Sequence, residues 1–472
     1  MTSTTEPIGI ATLKSQLTGP LFVPGDPGYA DEMAGFNAGI TSTPAMVVGA
    51  ANAGDVQAAV RFAAANQLPI GVHATGHGSV MMNEGVTVTT RRMNDVRIDA
   101  EARTATFGAG VKWAAVISLA AERGLAPLNG SSSDVGAVGY TLGGGLPVMC
   151  RTFGFAADHV KSFDVVTADG ELHHVTPESE PDLFWGMLGS QHNLGFVTSM
   201  TIGLMAVRSL YGGGIFYAAE HMAAVLHTYR EWCADLPDEM TASIGILRLP
   251  PLPDIAEPLR GKTVAHVRIA YVGDADQGAK LIAPMREAAP SIIDMVGEMP
   301  YSAVDSIHQD PDHPVPFMQN GLLLREFTEE TVDALLAVAG ADQQIPLVLC
   351  DIRQLGGALR RPPAGGNACG GRDAEFSVLA LGMLAPPIAA AVPGALATVI
   401  GALQPWSTGK TLVNFHGEPG DEADRARAWD DATHQRLLEL SRRYDPAGLL
   451  RFGHAIGRTA QPRAALVPPQ GR

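Results

Sequence analysis

Cysteine is scarce: Cys150, Cys233, Cys350 and Cys369 are the only four in 472 residues. They form no Cys-x-x-Cys pair and no zinc-type spacing, and four thiols are too few to staple a chain of this length. A disulfide scaffold and a zinc module are thereby excluded, and free thiols in a reducing cytoplasm are expected. Positive charge is also short, with Lys plus Arg at 33 against Asp plus Glu at 49, a net charge of −16. Such a surface repels phosphates, so neither nucleic acid nor an anionic membrane is an expected partner. No set of histidines and carboxylates has metal-ligand spacing, and no metal is expected. No G-x-G-x-x-G follows a strand, which leaves a Rossmann nicotinamide site without support. The opening MTSTTEPIGIATLKSQL has no basic stretch leading into an apolar core and no twin arginine, so no export signal is expected. Residues 377–404 lack charge and are long enough to span a bilayer. They carry Pro386, Pro387 and Pro393, and are read as a buried strand (376–383), a proline loop and an Ala-rich helix running to Trp406.

What is present is apolar bulk and glycine. Apolar residues make up 46% and charged residues 17%, the balance of a globular chain of two or three lobes. Residues 44–72 read as strand, helix, strand, with Val56, Val60 and Ala64 on one helix face. Val96–Ile98 and Thr104–Phe107 alternate around a polar turn as a hairpin, and a helix with Trp113, Val116, Ile117 and Ala120 follows, closed by Gly124. A second hairpin is expected across Ala168-Asp169-Gly170-Glu171. From 206 to about 404, strands at Thr263–Tyr271, Gly321–Leu324, Ile345–Ile352 and Glu375–Leu381 alternate with helices at 219–233, 275–288 and 328–340. That pattern predicts an antiparallel sheet covered on one side, an α+β lobe. A last helix is expected over 429–443.

Glycine clusters in loops: Gly76 and Gly78 around His77, then Gly130, Gly136, Gly139 and the run Gly143-Gly144-Gly145, then Gly189 to Gly195. Backbone N–H groups exposed in such loops suit phosphate-bearing cofactors, although tight turns explain any one run equally well. The order Ile70-Gly71-Val72-His73-Ala74-Thr75-Gly76-His77-Gly78 resembles the flavin-attachment loop of PCMH-type FAD-linked oxidases of the vanillyl-alcohol-oxidase fold, and among them the berberine-bridge-enzyme-like branch. The resemblance continues through Gly108-Ala109-Gly110, Val135-Gly136, Leu142 to Gly145, Asp158, Val165 to Gly170, Asp182 to Trp185, Asn193 and Gly195. In the second half Leu355-Gly356-Gly357-Ala358 and Arg372 to Phe376 are similar to bacterial members, and Val413-Asn414-Phe415 and Arg443-Tyr444-Asp445-Pro446 to the branch's terminal segment. It spans about residues 20–456.

The resemblance implies an α+β fold: a two-subdomain PCMH-type FAD-binding domain (1–205), an inserted antiparallel-sheet substrate domain (206–404), and a C-terminal berberine-bridge-like segment (405–472) returning to the FAD domain. It implies FAD joined to His77 through the flavin 8α-methyl. Thr75, Gly76, Gly78, Ser79, Ser132, Ser133, Val135, Gly136, Gly139, Leu142, Gly143, Gly144, Gly145, Gly195, Val197 and Asn414 would line the cofactor. Many relatives have a cysteine where this chain has Ser132, and a hydroxyl forms no thioether, so a single covalent bond is expected. Relatives often place a tyrosine two residues before the terminal-strand asparagine and a histidine before the Arg-Asp pair. Here Leu412 and Gly371 stand there. The base is therefore sought among Tyr140, His416 and Glu418, with Tyr217 and Asp351 as further candidates, and each has an equally good structural explanation.

The expected activity is that of a covalent FAD oxidase acting on a small organic metabolite or natural-product intermediate, with O2 as second substrate, in a cytoplasmic monomer or homodimer. A flavin-dependent or redox-neutral cyclase, and a non-catalytic small-molecule binding protein on the same scaffold, are the alternatives. Val135 occupies the position that gates oxygen in the branch that the chain resembles, where one added methylene is enough to fill the void that O2 must enter. Val135→Leu is expected to slow reoxidation of reduced flavin by O2 about tenfold, about 1.4 kcal/mol of barrier, in stopped-flow mixing. An unchanged second-order rate in a folded variant removes the gate.

Overall fold

The computed structural model describes residues 9–457 except Ser79. In the first lobe a four-stranded sheet places strand Val86–Thr89 between Met46–Gly49 and Ile70–His73, parallel to both, with Leu21–Phe22 on the outer edge. Helix Ala53–Ala65 makes the crossover. It starts at Asn52, whose side chain accepts the Asp55 N–H, and Asp55 in turn accepts N–H bonds from Thr18, Gly19 and Ala51. The three parallel strands are almost wholly buried, as apolar runs in parallel sheets are. Their carboxyl ends therefore deliver the following loop, 74–78, to the rim of the lobe, where open α/β sheets bind ligands.

A five-stranded antiparallel sheet completes this lobe: Val96–Asp99, Thr104–Gly108, Phe196–Gly203, Val160–Val166 and Leu172–Val175, in that order. Both expected hairpins are in it. Trp113, Phe107 and Phe163 fill its core, and helix Trp113–Ala121 lies across it.

The second lobe is an eight-stranded antiparallel sheet. Helices Met222–Cys233, Ala275–Ala288, Glu329–Ala339 and Val392–Leu403 cover one face through Ile244, Val267, Ile352 and Val378. Side chains alternate across a strand, so Ser243, His266, Arg268, Asp351 and Arg353 fall on the opposite face, toward the first lobe. Segment Ala389–Trp406 is long and apolar enough to cross a membrane by length and composition, and its Val392, Leu396, Val399 and Leu403 are buried in this core. The chain then returns to the first lobe, where helix Asp431–Tyr444 sets Leu440 against Gly186 and Leu449 accepts the Ile70 N–H at 3.0 Å.

Four elements differ from expectation. Strands Ser209–Ala218 and Met240–Arg248 are central to the second sheet, yet YGGGIFY and ASIGIL carry glycines that hide the alternation. The glycine-dense 136–145 stretch contains a helix, Ala137–Leu142. The expected terminal strand at Asn414 is instead a 3-10 turn, Val413–Phe415, because the amide of Asn414 must reach the Tyr140 carbonyl while Leu412 and Val413 stay buried.

Arg151 clamps the lobes together. It is 7% exposed and donates from Nε to Met240 O at 2.8 Å, from Nη1 to Leu355 O and from Nη2 to Leu236 O at 3.0 Å. Arg151→Met strips three carbonyls of charge-assisted donors and is expected to cost about 3 kcal/mol of stability. Urea unfolding followed by tryptophan fluorescence reads the loss, and a change below about 1 kcal/mol would assign the clamp's work to water.

Candidate active site

The loop after strand Ile70–His73 is shaped by Gly76, whose φ is +77° and whose Cβ would stand 2.6 Å from the Gly35 Cα. Only glycine allows the two backbones to meet there. Thr75 O and Gly76 O accept from Phe36 N–H and Asn37 N–H at 2.9 and 3.1 Å. With the carbonyls turned that way, the N–H groups of Thr75, Gly76, His77 and Gly78 have no protein partner among the described residues. Successive free N–H groups make an anion-binding nest. A side chain at Gly78 would meet nothing within 4 Å, so this rim is open.

The His77 ring stacks on Phe36 with centroids 3.7 Å apart. Its Nε2 is buried without a hydrogen bond, 3.6 Å from Asp134, and Lys112 pairs with the same carboxylate. Burial lowers the His77 pKa below its ordinary value against the opposing pull of Asp134. The imidazole is thus neutral near pH 7, with a nitrogen lone pair in a nucleophilic state. Thr75 Oγ1 accepts the Gly136 N–H at 3.1 Å, tying this loop to the 130–136 loop. Ser132 accepts the Asp134 N–H, and Val135 packs on the core and takes the Trp113 N–H.

Asn414 organises the next segment. Its Nδ2 donates to Tyr140 O at 3.0 Å, and its Oδ1 lies 1.8 Å from where a Gly143 Cβ would be. Leu142 O accepts from Gly189 and Gln191, which brings the 189–195 loop alongside. Gly139 is exposed with open space before it, whereas Gly144 and Gly145 pack against Cys369 and the Tyr140 ring.

Several expected site residues serve other ends. Ser133 gives both its N–H and its hydroxyl to Asp305 of the second lobe, so it is a latch between lobes and its hydroxyl is not free for a cofactor. Gly195 and Val197 sit in the first lobe's core, Gly195 where a Cβ would strike Val165 and Val197 at 5% exposure. Glu418 is exposed on the turn after His416 and takes no part in the cleft. His416 is buried, and its Nε2 meets Asp424 O at 2.7 Å, where it donates. Its ring stands edge-on to His454, 4.6 Å between centroids. Tyr217 donates to Met285 O on the helical side of the second sheet, away from the site. The Tyr140 hydroxyl is buried with no hydrogen bond among the described residues. Burial raises its pKa well above 10, so the phenol holds its proton near neutral pH. Ser79 lies outside the described residues.

Sequence reasoning overlooked Arg268, Arg353, His308, His192 and His454. A signal existed for the arginines: polar residues at period two inside the apolar strands TVAHVRIAY and LCDIRQ mark a face that is not plain core.

Residues 44–176 match the FAD binding domain. The N–H nest fits that cofactor, being suited to its diphosphate. The chain is an FAD oxidoreductase, as its relatives are named, and its mixed α+β fold is shared with solved oxidases. Among its relatives, (R)-6-hydroxynicotine oxidase of Paenarthrobacter nicotinovorans is 26% identical over 341 residues, 70% of this chain and 72% of that protein. An uncharacterized FAD-linked oxidoreductase of Bacillus subtilis is 24% identical over 94% of this chain and 98% of that one. The crystal structure of 6-hydroxy-D-nicotine oxidase from Arthrobacter nicotinovorans has the same fold, with TM-score 0.81 at 22% identity over 93% of this chain and 98% of that one.

Burial holds seven histidines below their ordinary pKa: His73, His77, His266, His308, His416, His454 and, at about 4, His192. Unfolded, they titrate near 6.5. Below that pH the unfolded chain binds more protons than the folded one, so stability falls as pH falls, by up to about 1.4 kcal/mol per pH unit for each histidine. The melting temperature is expected to drop between pH 7.5 and 5.5, before carboxylates titrate, and His454→Gln should flatten the drop. A melting temperature constant over that range contradicts the assignment.

Proposed function

We propose that this oxidoreductase is a berberine-bridge-like oxidase of a small organic metabolite or natural-product intermediate, with FAD held by one covalent bond to His77. The observation that carries the reading is the His77 loop, with N–H groups that have no protein partner among the described residues, its open rim at Gly78 and a neutral imidazole beside Asp134. Further support comes from the relatives, which include oxidases by name. Bound FAD would supply two-electron oxidation chemistry, by which reduced substrate and O2 would give oxidised product and H2O2.

The chain's own residues orient and shield that chemistry. Thr75 to Gly78 hold the diphosphate by N–H donation. Asn414 fixes the backbone at Tyr140, and the buried Tyr140 hydroxyl donates a hydrogen bond to the substrate's oxygen or nitrogen. Leu412, where many relatives of the resembled branch carry a tyrosine, forms with Leu323 an apolar wall that keeps water out. A substrate that is already a good hydride donor, such as an amine or an activated alcohol, suits a site without a strong base. The four cysteines are unpaired, which favours a cytoplasmic protein. As partners we propose only the small substrate and O2, with no nucleic acid or membrane, in a monomer or homodimer.

Acid precipitation tests the linkage. The wild-type pellet is expected to be yellow, with intact mass equal to protein plus one FAD and with unmodified peptides across Ser132. His77→Ala should release the flavin into the supernatant. Flavin retained in the variant's pellet would place the bond elsewhere, and a colourless wild-type protein would remove the oxidase reading.

A further inference from the structure

The sheet face that meets the first lobe carries a charged cluster with a surplus. Arg268 Nη2 and Arg353 Nε both donate to Asp351, to Oδ1 and, at 2.7 Å, to Oδ2. Asp351 is 0% exposed and Arg268 3%. One carboxylate faces two guanidiniums, which leaves one positive charge over. His266 and His308 add none, because burial keeps both neutral, helped by the arginines beside them. Asp310, the other acid that acts on Arg353, is exposed to solvent, where water screens it. A buried charge without a partner is costly, so the cluster is poised for an anion.

Its donors are also spare. Arg268 Nε and His308 Nδ1 are buried without hydrogen bonds, and the two Nη groups of Arg353 have no protein partner among the described residues. Arg268, Arg353, His308, Ser243 and Cys150 line a cavity of about 20 Å³ between the sheet and residues 146–150. The sheet is cleared for these side chains: a Cβ at Gly214 would stand 2.1 Å from His266 Nε2, and one at Gly245 2.6 Å from Arg268 Nη2. Arg353 lies over the Phe415 ring at 5.2 Å, next to Asn414, and acts on the Tyr140 hydroxyl. The cluster therefore adjoins the residues assigned to the flavin side of the site.

We propose that Arg268 and Arg353 bind a carboxylate of the substrate, so that the protein acts on a small organic acid whose oxidisable carbon lies toward Tyr140. In calling the ligand a substrate, this rests on the oxidase reading. A carboxylate matches both the planar guanidinium fork and the single surplus charge, whereas a phosphate dianion would overcompensate it.

The test is calorimetric titration of the purified holoprotein with benzoate, hexanoate and indole-3-acetate, each against its amide, and with phenylphosphonate. At least one acid is expected to bind about tenfold or more tightly than its amide. Arg353→Gln, at a partly exposed position, should abolish the preference with little change in melting temperature, and Arg353→Lys should restore part of it. The proposal is overturned if no acid outbinds its amide, if the preference survives Arg353→Gln, or if the phosphonate binds more tightly than every carboxylate. A yellow protein without acid preference refutes the carboxylate site alone. A colourless protein that keeps the preference supports that site and refutes the oxidase reading.

Discussion

Three parts of the chain meet at one side-chain amide. Asn414 donates to the Tyr140 carbonyl, lies against Gly143 at a spacing that admits no Cβ, and is within 3.4 Å of the Gln191 amide nitrogen. Its own carbonyl accepts from Gln319 on the second lobe's edge strand at 3.2 Å. The glycine run, the 189–195 loop and the second lobe's sheet are thus referenced to a single residue of the C-terminal segment. Because two of these hydrogen bonds run to backbone carbonyls, they constrain the chain's path and not merely side-chain rotamers. The site can be described as a fixed geometry because of this junction.

Around it, polar groups are divided by their surroundings. The His77 side holds N–H groups without protein partners among the described residues and a neutral imidazole between Phe36 and Asp134, which suits a large anionic cofactor. The second-lobe side holds two arginines on one buried carboxylate. Between them Tyr140 supplies a hydroxyl whose proton is firmly held. Low dielectric strengthens each of these interactions, and it also keeps the neighbouring histidines neutral. The site is rich in donors and poor in bases, the reverse of what an unactivated alcohol would require.

The contacts of several expected site residues have a common explanation. Ser133, Glu418, Tyr217, Gly195 and Val197 were nominated by residue type or by place in a motif. Their partners turned out to be Asp305, solvent, Met285 and the sheet core. Each partner is remote in sequence or is water, and no local pattern encodes it.

What the sequence by itself determined is the local grammar. Periodicity located strand Thr263–Tyr271 and helix Ala275–Ala288, the Asp169-Gly170 turn marked a hairpin, and glycines framing His77 marked a loop where backbone is exposed. These depend on spacing along the chain, where side-chain alternation and backbone freedom act directly. Tertiary structure alone decided that Asn414 sits on a turn and not a strand, that Arg268 and Arg353 share Asp351, and that Ser133 latches the lobes. Arg268 and Asp351 are 83 residues apart, and their encounter follows from the order in which strands assemble, with Met240–Arg248 inserted between theirs. A buried charge is recognisable in sequence only as a polar letter in an apolar run. Whether it is compensated, and by what, depends on the neighbouring strand.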